Sequence, residues 1–279
     1  MNKAYKDYSV SELCKALNVS VSTYYYQPIE PDIEEERMVV AMKTVFDDSE
    51  QTYGKRRIRQ ELENQGYKVG IAKVRTLMKK HGLKAVVPKK KHDYPDAGND
   101  SQYAPNLLAR QFSPETVGTH LVGDITYIRS DEGWCYLACV LDLGSREMVG
   151  YATSRTPDTA LAKEALDNAL KHIPINAQQI LFHSDQGCQY SSKAFRDYLK
   201  TRGIRQSMSR RGNCWDNAVM ERFFRNLKTE GLNRVRIINF CSAQQLIEQY
   251  IRFYNFKRLN SAIDYLTPNQ KGNILRKAA

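Results

Sequence analysis

Three acids stand out by their surroundings. Asp124 interrupts the alternating segment Leu121-Val122-Gly123-Asp124-Ile125-Thr126-Tyr127, where a carboxylate is costly unless something compensates it. Asp185 closes a second apolar segment in Phe182-His183-Ser184-Asp185-Gln186-Gly187. Glu221 lies in a helical pattern after Trp215. Spacing alone decides nothing, because Asp and Glu total 31 and many pairs share any given separation. The helical wheel is more selective: Asn217, Arg225 and Lys228 fall within about 40° of Glu221, and Val219 and Phe223 about 160° away. Glu221 therefore shares a polar, basic face. Three carboxylates brought together without a cation repel one another and shift their pKa values. Two Mg²⁺ ions resolve that conflict, since hard cations take oxygen ligands and a pair of them serves phosphoryl transfer. The alternative is that Asp124 pairs with a buried arginine and the other two acids lie on the surface.

The partner for such chemistry is written in the charge. Lys and Arg number 42 against 31 Asp and Glu, a net +11, with a pI near 9.3. The excess gathers in two stretches, Gln51 to Lys91 and Lys193 to Arg236. Two separated basic runs point to a phosphate-bearing partner. Hydrophobic residues make up 42% and charged residues 26%, which excludes a disordered or rod-like chain. The longest strongly apolar stretch, Trp134 to Leu141, is too short for a membrane span. The polar start at Met1 argues against export, so a cytoplasmic, nucleoid-associated protein is expected. Six cysteines without a C-x-x-C pair argue against a disulfide framework or a zinc knuckle, and are read as reduced thiols, mostly buried.

The elements that must position these residues follow from pattern. Ser9-x-x-Glu12 is a capping box before Val10 to Leu17, and Ser20 caps Val21 to Tyr26, with Pro28 and Pro31 closing this first helix pair. An amphipathic helix over Ile33 to Phe46 follows. A second pair, Lys55 to Asn64 and about Ile71 to His81 before Gly82, carries Lys73, Arg75, Lys79 and Lys80 on its second helix. DNA recognition is assigned here rather than to the first pair. Residues 87–111, with Pro88, Lys89-Lys90-Lys91, Pro95 and Pro105, read as a basic linker. Then come three strands (Leu121 to Ile128, Cys135 to Leu143, Met148 to Thr153), a helix (Asp158 to His172), a strand (Gln179 to His183), a helix (Ser191 to Thr201), a strand (Arg205 to Ser209) and a helix (Trp215 to Lys228). That order predicts an α/β fold, a mixed sheet flanked by helices, behind an all-α helix-turn-helix region. The domains expected are 1–86 for DNA binding, 87–111 as linker, 112–230 as catalytic domain and 231–279 as a helical extension.

The blocks Val122-Gly123-Asp124-Ile125-Thr126-Tyr127, His183-Ser184-Asp185-Gln186-Gly187-Cys188-Gln189-Tyr190 and Asn213-Cys214-Trp215-Asp216-Asn217-Ala218, with Glu221 and Phe223-Phe224-Arg225-Asn226-Leu227-Lys228-Thr229-Glu230, resemble the catalytic domain of DDE transposases. The insertion-sequence-three family, second reading frame, is the nearest match, and retroviral integrases resemble it more distantly. Tyr53-Gly54-Lys55-Arg56-Arg57-Ile58 and Tyr254-Asn255-x-x-Arg258-Leu259-Asn260-Ser261-Ala262 extend the likeness over nearly the whole chain. The resemblance implies a ribonuclease-H-like fold, Mg²⁺ dependence (Mn²⁺ substituting), and cleavage and strand transfer at the inverted-repeat ends of a DNA element. It makes Asp124, Asp185 and Glu221 the metal-binding acids and Lys228 the family's basic residue. The sequence lacks the zinc-binding His/His/Cys/Cys set of retroviral integrases and a leucine-heptad segment like that of the family's first-frame protein. A homo-oligomer on double-stranded DNA and a first-frame partner are expected.

Candidate DNA contacts are Lys228, Arg225, Asn217, Lys73, Arg75, Lys79, Lys80, Lys55 and Arg56. Asn217 is open between contacting DNA and capping a helix. His183 is open between serving Asp185 or a phosphate and a structural role. Trp215 is read as packing at the helix start, with stacking on a flipped base as the alternative. Asp142 rivals the triad as a ligand, but Gly144-Ser145 after it reads as a turn that the acid caps. Two other functions fit the same elements: a repressor derived from a transposase, which the intact triad disfavours, and a ribonuclease H or exonuclease, which the helix-turn-helix units disfavour.

Overall fold

The computed structural model describes residues 8–27, 32–87, 103–173, 179–211 and 213–278. Contacts divide the chain into two compact units, Met1–Ala41 and Met42–Ala279. In the first, α1 (Val10–Ala16) has the expected capping box: Ser9 Oγ accepts from the Glu12 N–H at 3.3 Å, and the Glu12 carboxylate accepts from the Ser9 N–H at 2.8 Å. α2 (Val21–Tyr24) begins at Ser20 as expected but lasts only one turn. Pro28 and Pro31 lie outside the described residues. α3 (Ile33–Asp48), with Glu34, Glu35 and Glu36 favouring its N-terminal dipole, contains the division between the units.

The second unit begins with α4 (Lys55–Asn64) and α5 (Ile71–Lys80), which bury Ile58 and Leu62, and Val74, Leu77 and Met78. Gly82 follows α5 at φ +69°, the left-handed position a glycine fills at a helix end. The sheet comprises β1 (His120–Ser130), β2 (Gly133–Asp142), β3 (Met148–Ser154), β4 (Leu181–Ser184) and β5 (Arg205–Met208) in the order β3-β2-β1-β4-β5. β1, β2 and β3 pair antiparallel, while β4 joins β1 and β5 in parallel. Between and after the strands lie α6 (Thr159–Leu170), α7 (Cys188–Ser191), α8 (Lys193–Thr201), α9 (Ala218–Asn226), α10 (Phe240–Phe256) and α11 (Pro268–Ala278). This is the expected mixed sheet flanked by helices.

Alternation along β1 and β2 sends side chains into two cores. Val122, Leu137, Cys139 and Leu141 pack with Met220 and Phe223 of α9 and with Ile247, Tyr250 and Tyr254 of α10. Leu121, Ala138 and Val140 pack with Leu161, Ala165 and Leu166 of α6 and with Phe195 and Leu199 of α8. The segment expected as a helical extension thus supplies one of the two cores through α10. Part of the expected linker is also tied to the sheet by side-chain hydrogen bonds. Leu108 is 1% exposed, and the Leu107 and Leu108 N–H groups both donate to Ser207 Oγ of β5; residues 88–102 lie outside the described ones.

Candidate functional site

Register brings the two aspartates together. β1 and β4 run parallel with Val122 opposite His183 and Gly123 opposite Ser184; one step on, Asp124 and Asp185 stand at the same level. Asp124 continues the alternation of Val122, so it faces the side of the sheet covered by α9. Gly123 keeps this geometry tight, since a methyl group there would overlap the Phe182 ring. Asp124 Oδ1 accepts from the Ile125 N–H at 2.7 Å, and Asp185 Oδ1 from the Gly187 N–H at 3.0 Å.

Burial, then the charges of Asp185 and Glu221, push the Asp124 carboxyl well above the usual carboxylate range, while the Ile125 N–H and Lys228 act to lower it. Burial likewise raises Asp185. The three acids and Lys228 therefore share one electrostatic environment. Among the described residues, no three His, Cys, Asp or Glu side chains close into a ready metal cage. Carboxylates without a cation between them hold apart. As a donor set they still fit a hard cation: oxygen atoms only, partly desolvated, with mutual repulsion that a divalent ion would reverse.

Three family models match, an integrase core domain over residues 114–214, a second integrase core domain model over 202–268 and an HTH-like domain over 32–91. The putative transposase InsK of insertion element IS150 from Escherichia coli K12 is 32% identical over 276 residues, covering 98% of this chain and 96% of that protein. The transposase InsF of IS3A from the same organism is 32% identical, covering 98% and 97%. The chain belongs to the IS3 family of insertion-sequence transposases. Among solved structures, the HTLV-2 integrase catalytic core domain in complex with magnesium aligns at TM-score 0.44 and 15% identity, covering 56% of this chain and 97% of that one.

Around the acids of this IS3-family chain, the turn reading of Asp142 is met, the open reading of His183 is decided, and those of Asn217 and Trp215 change. Asp142 is a turn acid: it is 1% exposed and accepts from the Gly118 N–H, Ser145 N–H and Ser145 Oγ, each at 2.7 Å. His183 is structural. It is fully buried, its Nδ1 and Nε2 bond Ser207 Oγ and Ser209 Oγ at 2.8 and 3.2 Å, and burial lowers its pKa to about 4. Asn217 precedes α9 without capping it and is 4% exposed, with Oδ1 and Nδ2 unbonded. The wheel that placed it beside Glu221 assumed a helix beginning earlier than Ala218. Trp215 is not packed away at the helix start; it is 69% exposed. Next to Trp215, Asp216 pairs with two arginines, accepting from Arg110 Nε at 2.7 Å and Arg210 Nε at 2.9 Å.

The remaining candidates sit as follows. Lys73, Arg75, Lys79 and Lys80 are exposed on α5, Arg56 on α4 and Arg225 on α9, while Lys55 and Lys228 are half-buried. Lys228 lies beyond α9 in a π-helical turn, Leu227–Gly231. The sequence reading missed what fixes that turn. The buried Glu230 carboxylate accepts from Arg258 Nε and Nη2, both at 2.6 Å, and from Tyr250 Oη at 2.9 Å, and Arg57 Nη1 of α4 lies 3.9 Å away. Tyr53 Oη, two residues before α4, adds a second link to the tail, donating to Lys257 O and accepting from the Leu259 N–H. The only sequence signal was that Tyr53, Arg57, Glu230 and Arg258 all fall within the family-like blocks.

Proposed function

We propose that this chain is a DNA transposase that cleaves strands at the inverted-repeat ends of an insertion sequence and joins them to target DNA, with Asp124, Asp185 and Glu221 holding two Mg²⁺ ions. The observation that carries the reading is the in-register placement of Asp124 and Asp185 on neighbouring parallel strands, with Glu221 and Lys228 in the same field. When bound, the divalent ions, Mg²⁺ or Mn²⁺, supply Lewis acidity to the phosphate oxygens. The protein's own part is positional. The two aspartates and Glu221 set oxygen donors around the reacting phosphate, and Lys228 brings a positive charge to the same place. The exposed bases of α5, with Arg56, Lys55 and Arg225, hold the phosphate backbone on either side. Water attacks one phosphodiester in line, breaking the bond to the 3′ oxygen and leaving a 3′-hydroxyl. That hydroxyl then attacks a target phosphodiester by the same geometry, so no covalent bond to the protein forms. A homo-oligomer holding two ends, working in the cytoplasm on the nucleoid, suits this reaction; co-purification with the first-frame product tests that further partner.

The test is incubation with duplex DNA carrying the element's own flanking ends and Mg²⁺, followed by mapping of nicks. Strand-specific nicks at the repeat tips that vanish in excess chelator are expected. Nicks scattered through the duplex, or full cleavage in chelator, would overturn the reading.

A further inference from the structure

Trp215 is one of only two tryptophans in the chain, and a large indole left 69% exposed is unusual for a residue whose area normally drives burial. It is nevertheless held in place. Its backbone N–H donates to Asn213 Oδ1 at 3.2 Å, which fixes the chain carrying the ring. The next residue, Asp216, is 1% exposed and accepts five hydrogen bonds: from Asn106 Nδ2, from Arg110 Nε, and from Arg210 through N, Nε and Nη2, all between 2.7 and 3.0 Å. Arg210 above all holds the Asp216 carboxyl well below the usual carboxylate range, so the clasp stays charged at any working pH. Arg110 and Arg210 remain 43% and 59% exposed along their side chains, and the exposed Arg211 adds another positive charge. An exposed indole one residue before the carboxylate that fixes two half-exposed arginines offers the chemistry of a nucleotide site: base on the aromatic ring, phosphate on the guanidinium.

We propose that Trp215, with Arg110 and Arg210 clasped by Asp216, seats one unpaired nucleotide of the DNA. This rests on the DNA-cleaving role of the acids and names the strand feature they work beside. Trp215 lies in the short 3₁₀ turn Cys214–Asn217 that leads directly into α9, which puts its Cα roughly 10 Å from that of Glu221, or about three nucleotides along a strand. Holding a base there opens the helix end next to the reacting phosphate, which no exposed lysine on α5 can do.

The full chain carrying Trp134→Phe leaves Trp215 as the one indole. In Ca²⁺, short oligothymidylate should quench its fluorescence, and an end with unpaired terminal nucleotides bearing 2-aminopurine should lose base emission on binding. Adding Trp215→Leu should abolish the base quenching and weaken binding to the unpaired end about tenfold, leaving the fully paired end unchanged, while Trp215→Phe should keep most of the affinity. A melting curve matching the parent's shows that the exposed substitution leaves the fold intact. Equal loss on paired and unpaired ends, no quenching by single strands, or quenching by dilution-dependent self-association without DNA would each overturn the assignment. The outcome is separate from that of the nicking test: quenching with no nicking removes the catalytic reading alone, and nicking with a silent Trp215 removes this one alone.

Discussion

At the scale of single residues, Asp124 carries a heavy electrostatic load, because burial and two like charges oppose its ionisation while Lys228 favours it. Asp124→Asn, Asp185→Asn and Glu221→Gln are expected to lower nicking at least about a hundredfold, the scale of losing one group that stabilises developing charge. DNA binding, measured by gel shift, should change little; a variant that nicks normally would have to leave the triad. Lys228 makes a sharper comparison. Its charge reaches Asp124, whereas Arg222, exposed on α9, acts on Arg146. On a precut end, Lys228→Ala should depress strand transfer more than Arg222→Ala, with Lys228→Arg partly restored as a cation of different shape. Equal losses in one assay would show that the π turn does not aim Lys228 at the DNA.

At the scale of elements, two close approaches and one buried ion pair set the site. Gly150 of β3 lies against the Ala165 carbonyl and the Ala169 backbone of α6, while Gly123 of β1 lies against the Phe182 ring. Overpacking typically costs about 1 to 3 kcal/mol. Gly123→Ala should fall in that range because a ring can tilt, and Gly150→Ala should exceed it because helix backbone cannot; urea titrations of both decide the order. The Glu230–Arg258 pair is nearly dry, at 8% and 3% exposure. Arg258→Met alone strands the Glu230 carboxylate and should cost about 3 to 5 kcal/mol. The double variant Glu230→Gln, Arg258→Met should recover much of that stability yet still transfer strands poorly, since the turn presenting Lys228 loses its anchor. A double variant with full transfer activity would make the pair purely a stability feature.

At the scale of the molecule, positive charge is spread over α4, α5 and the α9 region, and the second compact unit holds all of these together with the sheet. Among the described residues no helix is long and apolar enough to cross a membrane. Duplex binding by the full chain should therefore weaken steeply with salt. Replacing Lys73, Arg75, Lys79 and Lys80 by alanine should flatten the slope of log K against log salt by up to about four, one for each phosphate that is no longer neutralised. An unchanged slope would mean that the phosphates are held by other elements than α5.

The caps at Ser9 and Ser20, the glycine after α5, the strand order and the odd acids in apolar strands were legible because each is a local matter: a hydroxyl two or three residues from an N–H, or a charge where the alternation demands an apolar group. The pairing of Asp124 with Asp185 was half legible, since strand order suggested adjacency but only the register Gly123 opposite Ser184 set them level. What the sequence misassigned depended on partners outside the residue's own helix or strand. Ser207 holds residues 107 and 108 that read as linker. Asp216 takes Arg110 and Arg210, leaving Trp215 in solvent. Glu230 meets Arg258 and so shapes the turn that carries Lys228. A side chain's period along its own helix or strand says which face it takes, but whether that face meets water, an arginine or another carboxylate is settled only when the elements pack.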